Sequence, residues 1–120
     1  MNWADYTALM HDVCRARGIQ ALFVVHPVPE RGKPLTESER EHLRCQKEMQ
    51  SLRTSGYDRV LTLAKKLHED GRPVVSFEDV FSGCSEPIYT DITHIEDRGS
   101  AIVADRIAEW ICCTWTGFRP

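Results

Sequence analysis

Two short apolar runs, Ile19 to Val25 and Val74 to Phe77, constrain the fold of this 120-residue chain more than any other feature. Both are short and contain β-branched and aromatic residues, as the buried strands of parallel sheets do. Helical patterns precede, separate and follow the two runs. The order helix, strand, helix, strand, helix predicts an α/β fold with parallel strands and right-handed crossovers. Because two strands make a small sheet for such a fold, we expect the chain to be part of a larger one.

The first and last helical segments have recognisable ends. The first covers Asn2 to Arg17, with Asn2 as a plausible N-cap and Gly18 as the C-terminal stop. Asp97 is the expected cap of the last helix. The apolar face of that helix contains Ile102, Val103, Ile107, Ala108, Trp110 and Ile111.

The middle segment begins with Thr36 to Glu39, which have the pattern of a capping box. A charged helix follows and ends at a glycine C-cap, Gly71. Thr54 to Gly56 interrupt the apolar periodicity, so either two helices or one kinked helix fits the sequence. The charged run from Glu37 to Glu48 is expected to be a solvated helix face.

Composition excludes several classes of function. The net charge of −3 gives no basic face for nucleic acid. No apolar run approaches the roughly 18 residues that suggest a membrane span, and Met1 to Asp12 do not resemble a signal peptide. We therefore expect a cytoplasmic protein that binds neither nucleic acid nor membrane.

The metal-ligating residue types also lack a recognisable pattern. The five cysteines show no recurrent spacing, so reduced thiols are the expected state. His42 and Cys45 are three residues apart on a helix, but two ligands without a third are a weak metal site. No metal or cofactor is predicted.

The residues with the clearest chemistry are Asp91 and His94. A carboxylate three residues before an imidazole, in a turn that leads into a helix, is typical of the acid and base of a hydrolytic triad. Such a short pattern also arises by chance, and a loop hydrogen bond is the alternative. The context favours catalysis, because open α/β sheets place active-site loops between a strand and a helix.

The segment from Tyr89 to Ile111 resembles the C-terminal block of the SGNH (GDSL-type) hydrolases, which has Asp-x-x-His, a glycine and an alanine-rich closing helix. Leu22 to Pro29 and Val74 to Phe81 resemble strands of the same family. The resemblance implies a flavodoxin-like three-layer α/β/α fold, of which this chain would supply about two or three parallel strands. It also implies ester hydrolysis or acyl transfer by a Ser-His-Asp triad.

The same resemblance assigns roles to individual residues. Asp91 matches the triad acid, His94 the general base, and Gly99 the glycine at the start of the closing helix, where close packing is the expected reason. The departures concern the nucleophile and the oxyanion donors. No Gly-Asp-Ser block is present, and the only asparagine is Asn2. The loop Ser82 to Ser85 is the best local source of a nucleophile, but it lacks the features of a nucleophile elbow.

We therefore expect residues 1–113 to form a partial SGNH-type domain and residues 114–120 to be a tail. The chain is then a fragment of a longer serine esterase, or a natural chain that is either a non-catalytic remnant or a subunit completed by another polypeptide. The expected partners are a small-molecule ester in the intact parent, an N-terminal complementing segment, or a second copy of the chain. Without its nucleophile, the chain alone is expected to be inactive.

Two further possibilities remain open at this point. His26 follows the first predicted strand, at the edge where such sheets bind ligands, and could line the substrate pocket. A structural histidine before a Pro-x-Pro bend is the alternative. The whole chain could instead be a non-catalytic binding or interaction module whose exposed sheet edge and helix faces pair with a partner. Trp3, Trp110 and Trp115 could anchor such an interface, although core packing explains the first two equally well.

Overall fold

The computed structural model describes residues 1–115, apart from the side chains of residues 47 and 48. Within these residues, four helices and a two-stranded parallel sheet confirm the α/β class. The elements are α1 (Trp3–Ala16), β1 (Phe23–Val25), α2 (Glu37–Arg44), α3 (Lys47–Glu69), β2 (Val74–Ser76) and α4 (Asp97–Thr114). The chain forms two compact units: Met1–His26 with Lys47–Glu78, and Pro27–Gln46 with Asp79–Pro120.

The ends of α1 are those that the sequence predicts. The side chain of Asn2 accepts hydrogen bonds from the backbone N–H groups of Ala4 and Asp5, and Asp5 accepts one from the Asn2 N–H. This is a reciprocal capping box. At the other end, Gly18 has a positive φ of 67°, which glycine adopts without strain.

The two strands pair in parallel, as predicted, with Phe23 opposite Val74 and Val25 opposite Ser76. The predicted start of the first strand at Ile19 is wrong, because pairing begins only at Phe23. The carbonyl of Pro73 accepts from the Phe23 N–H at 2.8 Å. Proline has no N–H of its own to continue the ladder, so residues 19–22 find no strand partner there.

The core of the first unit lies between this sheet and α3. Its buried residues are Val25, Ala64, Leu67 and Val74. Trp3, Ala4 and Ala8 of α1 pack against the same cluster. Each unit therefore has an apolar cluster of its own.

The predicted interruption of the middle helix occurs, but at a different place. The helices α2 and α3 are separated at Cys45 and Gln46, whose N–H groups both bond to the carbonyl of Leu43. The segment Thr54–Gly56 lies inside α3, where the Thr54 hydroxyl donates to the carbonyl of Gln50 at 2.8 Å. Such bonds let hydroxyl residues remain within a helix.

The second unit is organised around Phe81, Ile88 and Tyr89, which are almost completely buried. The rings of Phe81 and Tyr89 meet edge to face with centroids 5.7 Å apart. Ile102 and Val103 of α4 pack on this cluster. The prediction that Asp97 caps α4 is wrong by one position, because Glu96 is the N-cap residue and makes no side-chain cap bond.

The predicted C-terminal tail and the expected absence of a membrane span can both be compared with the helices. The predicted tail begins at Thr114, which is the last residue of α4, and residues 116–120 lie outside the described part. Among the helices of the described residues, none combines the length and the apolar composition that a bilayer crossing requires.

Candidate functional site

The turn that carries Asp91 and His94 is organised by the aspartate itself. Its Oδ1 accepts the backbone N–H groups of Thr93 at 2.7 Å and His94 at 2.8 Å, and also the Thr93 hydroxyl at 3.1 Å. Aspartate commonly closes turns in this way, because its short side chain reaches the N–H groups two and three residues ahead. The turn therefore fixes the carboxylate relative to the backbone of His94.

The second carboxylate oxygen of Asp91 lies 2.7 Å from Nδ1 of His94. An ionised carboxylate only accepts hydrogen bonds, so Nδ1 must carry the proton in this contact. Nε2 is then the unprotonated, basic nitrogen of the neutral ring. The His94 side chain is 76% exposed, and Nε2 has no hydrogen-bond partner among the described residues. The arrangement is that of an oriented base with its reactive nitrogen facing outward.

The hydrogen bonds to Asp91 also keep it ionised. Backbone donation from Thr93, the contact with the His94 imidazole and backbone donation from His94 hold the pKa of the Asp91 carboxyl well below its usual range. Hydrogen bonds to the charged form always act in this direction. The carboxylate therefore remains available to orient the imidazole over the whole neutral pH range.

The base of the turn is held on both sides by backbone hydrogen bonds. Tyr89 and Ile95 form an antiparallel bridge, and the Thr90 N–H donates to the His94 carbonyl at 3.0 Å. One step further out, the Glu96 N–H donates to the Ile88 carbonyl at 2.8 Å. The exposed turn that carries Asp91 and His94 is therefore anchored by a segment whose side chains, Ile88 and Tyr89, are buried.

The sequence analysis missed one important residue, Glu39. The expectation that the charged run faces solvent is wrong at this position, because Glu39 is only 1% exposed. Its Oε1 accepts the backbone N–H groups of Ile88 at 2.9 Å and Tyr89 at 3.1 Å. Its Oε2 accepts from Lys33 Nζ at 2.7 Å and from the Thr36 N–H at 2.8 Å. The capping box predicts the bond to Thr36, which the structure confirms, but no sequence signal reveals the other three donors.

Electrostatics at Glu39 favour the charged form despite the burial. Burial alone raises the pKa of a carboxyl group, but the hydrogen bonds from Lys33, Thr36, Ile88 and Tyr89 outweigh it and lower the pKa of Glu39 to about 2. Lys33 is itself fully buried at its side chain and also donates to the carbonyl of Pro34 at 3.1 Å. A buried ion pair needs such additional hydrogen bonds, because they offset the cost of removing both charges from water.

Gly99 packs closely against the same cluster. A β-carbon at this position would lie 2.7 Å from Cγ2 of Ile88 and 3.1 Å from Cβ of Ile95. Only glycine lets the first turn of α4 approach the base of the turn so closely. Close packing, which the sequence gives as the expected reason for this glycine, is what the structure shows.

The other candidate residues form no hydrogen bond with Asp91 or His94 in the part of the chain that the structure describes. Ser82 and Ser85 are exposed in a turned loop, while Cys84 packs partly against the second-unit cluster. Among the described residues, no serine hydroxyl bonds to His94. His26 belongs to the first unit, where it follows β1, is exposed, and accepts a hydrogen bond from the Tyr57 hydroxyl through its carbonyl.

The described residues contain no cluster of three or more His, Cys, Asp or Glu side chains that could hold a metal ion. His42 and Cys45 are both exposed and lie outside any such cluster. Comparisons of the chain with protein-family models, curated proteins and solved structures found no match.

Proposed function

We propose that this chain is the acid-base portion of an SGNH-type serine esterase, with Asp91 as the triad acid and His94 as the general base. The 2.7 Å contact between Asp91 Oδ2 and His94 Nδ1 carries the proposal, because it leaves Nε2 basic and exposed. In ester hydrolysis or acyl transfer, Nε2 removes the proton of the serine hydroxyl as its oxygen attacks the ester carbonyl. The protonated imidazole then delivers that proton to the leaving alcohol.

The nucleophile comes from a further segment under this proposal. The sequence contains no Gly-Asp-Ser block, and the exposed serines of residues 82–85 make no contact with His94. The complete fold would be the flavodoxin-like three-layer α/β/α arrangement, to which the observed parallel pair contributes two strands. His26 is the proposed pocket-lining residue at the end of β1, and a small ester is the substrate.

The free edge of β2 is the proposed place for that complementing segment. Pro73 and Phe77 bond toward β1, so alternation along the strand directs the backbone groups of Val74 and Ser76 the other way. A cavity of about 560 Å³ lies beside this edge, lined partly by Leu61, Ala64 and Val74. The Val74 carbonyl accepts from His68 there at 3.0 Å, whereas Ser76 keeps backbone groups for an added strand. An extended segment with apolar side chains fits an edge of this kind.

The first test is hydrolysis of a short p-nitrophenyl ester by the protein together with its complementing segment. The coding sequence upstream of Met1 is the first place to look for a Gly-Asp-Ser block that would supply this segment. We expect turnover that His94→Ala lowers by about 10³-fold or more, and that Asp91→Asn lowers by about 10⁴-fold because the wrong tautomer is then favoured. His42→Ala, which changes another exposed histidine, is the matched control and should leave the rate unchanged. Turnover that survives His94→Ala would contradict the proposal.

A second candidate function, a non-catalytic interaction module, is favoured by the outer face of α1. Tyr6, Leu9, Met10 and Val13 form an apolar stripe with helical spacing, and each is at least half exposed. The occupant that this stripe fits is a second copy of the chain. An antiparallel pair of α1 helices places Tyr6 opposite Val13 and brings Asp5 next to the last turn of the other copy, which carries Arg15.

Sedimentation equilibrium separates this candidate from the first. Self-association that Met10→Lys weakens, while Gln20→Lys leaves it unchanged, would support the module. Gln20 is exposed and lies outside the stripe, so it controls for the added charge. A chain that is monomeric in its wild-type form, or equal association of the two variants, would contradict it.

A further inference from the structure

Glu39 connects α2 to the segment from which the candidate turn begins. The residue lies in the first turn of α2, while Ile88 and Tyr89, whose N–H groups it accepts, follow it by 49 and 50 positions. Asp91 is two residues beyond Tyr89. The carboxylate therefore fixes the entry to the turn from a distant part of the sequence.

Both oxygens of the Glu39 carboxylate accept hydrogen bonds, and each oxygen has donors from a different chain segment. Oε1 takes the two backbone N–H groups of the turn segment. Oε2 takes Lys33 and the backbone and hydroxyl of Thr36, all from the segment that leads into α2. A single buried group thus joins two chain segments, and a charged acceptor makes each of these hydrogen bonds stronger than a neutral one would be.

Movement of Ile88 and Tyr89, the segment that enters the turn, would also move the backbone that carries Asp91 and His94. Tyr89 forms the bridge with Ile95, which follows His94, and Thr90 donates to the His94 carbonyl. A shift of the Tyr89 backbone therefore strains the two ends of the turn, and with them the hydrogen bond from the His94 N–H to Asp91. Misplacement of about 1 Å is enough to lower catalytic efficiency substantially.

We propose that Glu39 is the positioning residue of the acid-base pair, because its buried carboxylate holds the backbone of Ile88 and Tyr89 and thereby the turn that carries Asp91 and His94. Lys33 is its counter-ion, which keeps the carboxylate in place. This inference rests on the proposed function, since it concerns the same pair. Its test does not need turnover.

The test measures the neutral tautomers of His94 by ¹⁵N NMR of the imidazole in wild type and in Glu39→Gln. We expect the Nδ1–H tautomer to predominate in wild type. In the variant one oxygen acceptor is replaced by an NH₂ donor, so the entry segment loosens and the tautomer ratio falls roughly fivefold, as expected for one weakened hydrogen bond. Glu37→Gln, on the same helix but with a 77% exposed side chain, is the matched control and should leave the ratio unchanged.

A second control separates positioning from general stability. Val74→Ala removes buried volume from the core of the first unit, so it destabilises the chain without touching the turn. It should leave the tautomer ratio of the folded protein unchanged. Where Glu39→Gln does not fold, Lys33→Met/Glu39→Gln removes both charges together and takes its place.

An unchanged tautomer ratio in the folded Glu39 variant, or an equal change in Val74→Ala, would overturn the positioning role. Failure of the proposed function has a different signature. In that case the complemented protein shows no ester hydrolysis that depends on His94, although the tautomer ratio still responds to Glu39.

Discussion

At the scale of single residues, Asp91 and Glu39 have low pKa values in opposite surroundings. Asp91 is at an exposed tip, and short bonds from the adjacent backbone and the imidazole stabilise its charge. Glu39 is buried, and its charge depends on donors from two separate chain segments. The hydrogen bonds that keep Asp91 charged therefore come from its own turn, whereas those at Glu39 require the second unit to be folded.

Acid should destabilise the second unit through Glu39. Its pKa is lowered from 4.5 to about 2 on folding, so the unfolded chain takes up the proton first as pH falls. The stabilisation is complete above pH 4.5 and is lost between there and about pH 2, by about 3 kcal/mol. Urea unfolding at pH 6 and pH 2.5 measures this change. Glu39→Gln should show a smaller loss between the two pH values, and an equal loss would contradict the assignment.

Gly99 gives a second prediction at this scale. Gly99→Ala should destabilise the protein by about 1–3 kcal/mol, because the added carbon would lie 2.7 Å from Ile88 and the packed cluster must shift. Gly56 is the matched control: it lies inside α3 with no atom near the position of a β-carbon. Gly56→Ala should stabilise by about 0.5–1 kcal/mol. Urea unfolding measures both, and the same sign for the two variants would contradict the packing argument.

At the scale of elements, the start of α4 is less well satisfied than the start of α1. Asn2 caps α1 with two side-chain bonds, whereas Glu96 precedes α4 without any. Glu96→Ser should therefore stabilise the protein by about 0.5–1 kcal/mol, since serine is among the best N-cap residues. Asn2→Ala should destabilise it by about 1 kcal/mol. Thermal unfolding of both variants tests this, and a lower Tm for Glu96→Ser would count against it.

The same elements show how far the sequence alone predicts this structure. Caps, glycine stops and the parallel strands were predictable, because they depend on local chemistry and on apolar periodicity. The contact between Asp91 and His94 was predictable for the same reason, since the two residues are three positions apart. Glu39 was not, because its burial depends on Ile88 and Tyr89 at the other end of the second unit. The charge pattern of the sequence places Glu39 among exposed residues, and its hydrogen-bond donors become visible only in the folded structure.

At the scale of the whole molecule, the two units differ in which hydrogen-bonding groups of the described residues they leave without a partner. The first has a two-stranded sheet, which is marginal on its own, with a free edge at β2. The second has a closed apolar cluster and an oriented imidazole that faces outward. Under the proposed function, an additional segment would extend the sheet of the first unit at this free edge.

That additional segment should be sensitive to the backbone of Ser76. Ser76→Pro removes the N–H that faces away from β1 while Val75 keeps its bonds to β1, so it should block strand addition without unfolding the sheet. Ser76→Ala is the matched control, because it also loses the bond from the Glu78 N–H to the serine hydroxyl but keeps its own N–H. Calorimetric titration of each variant with the complementing segment measures the difference. We expect Ser76→Pro to bind at least about tenfold more weakly than Ser76→Ala, because a buried partner carbonyl then loses its donor. Equal affinity of the two variants would place the segment elsewhere than at the β2 edge.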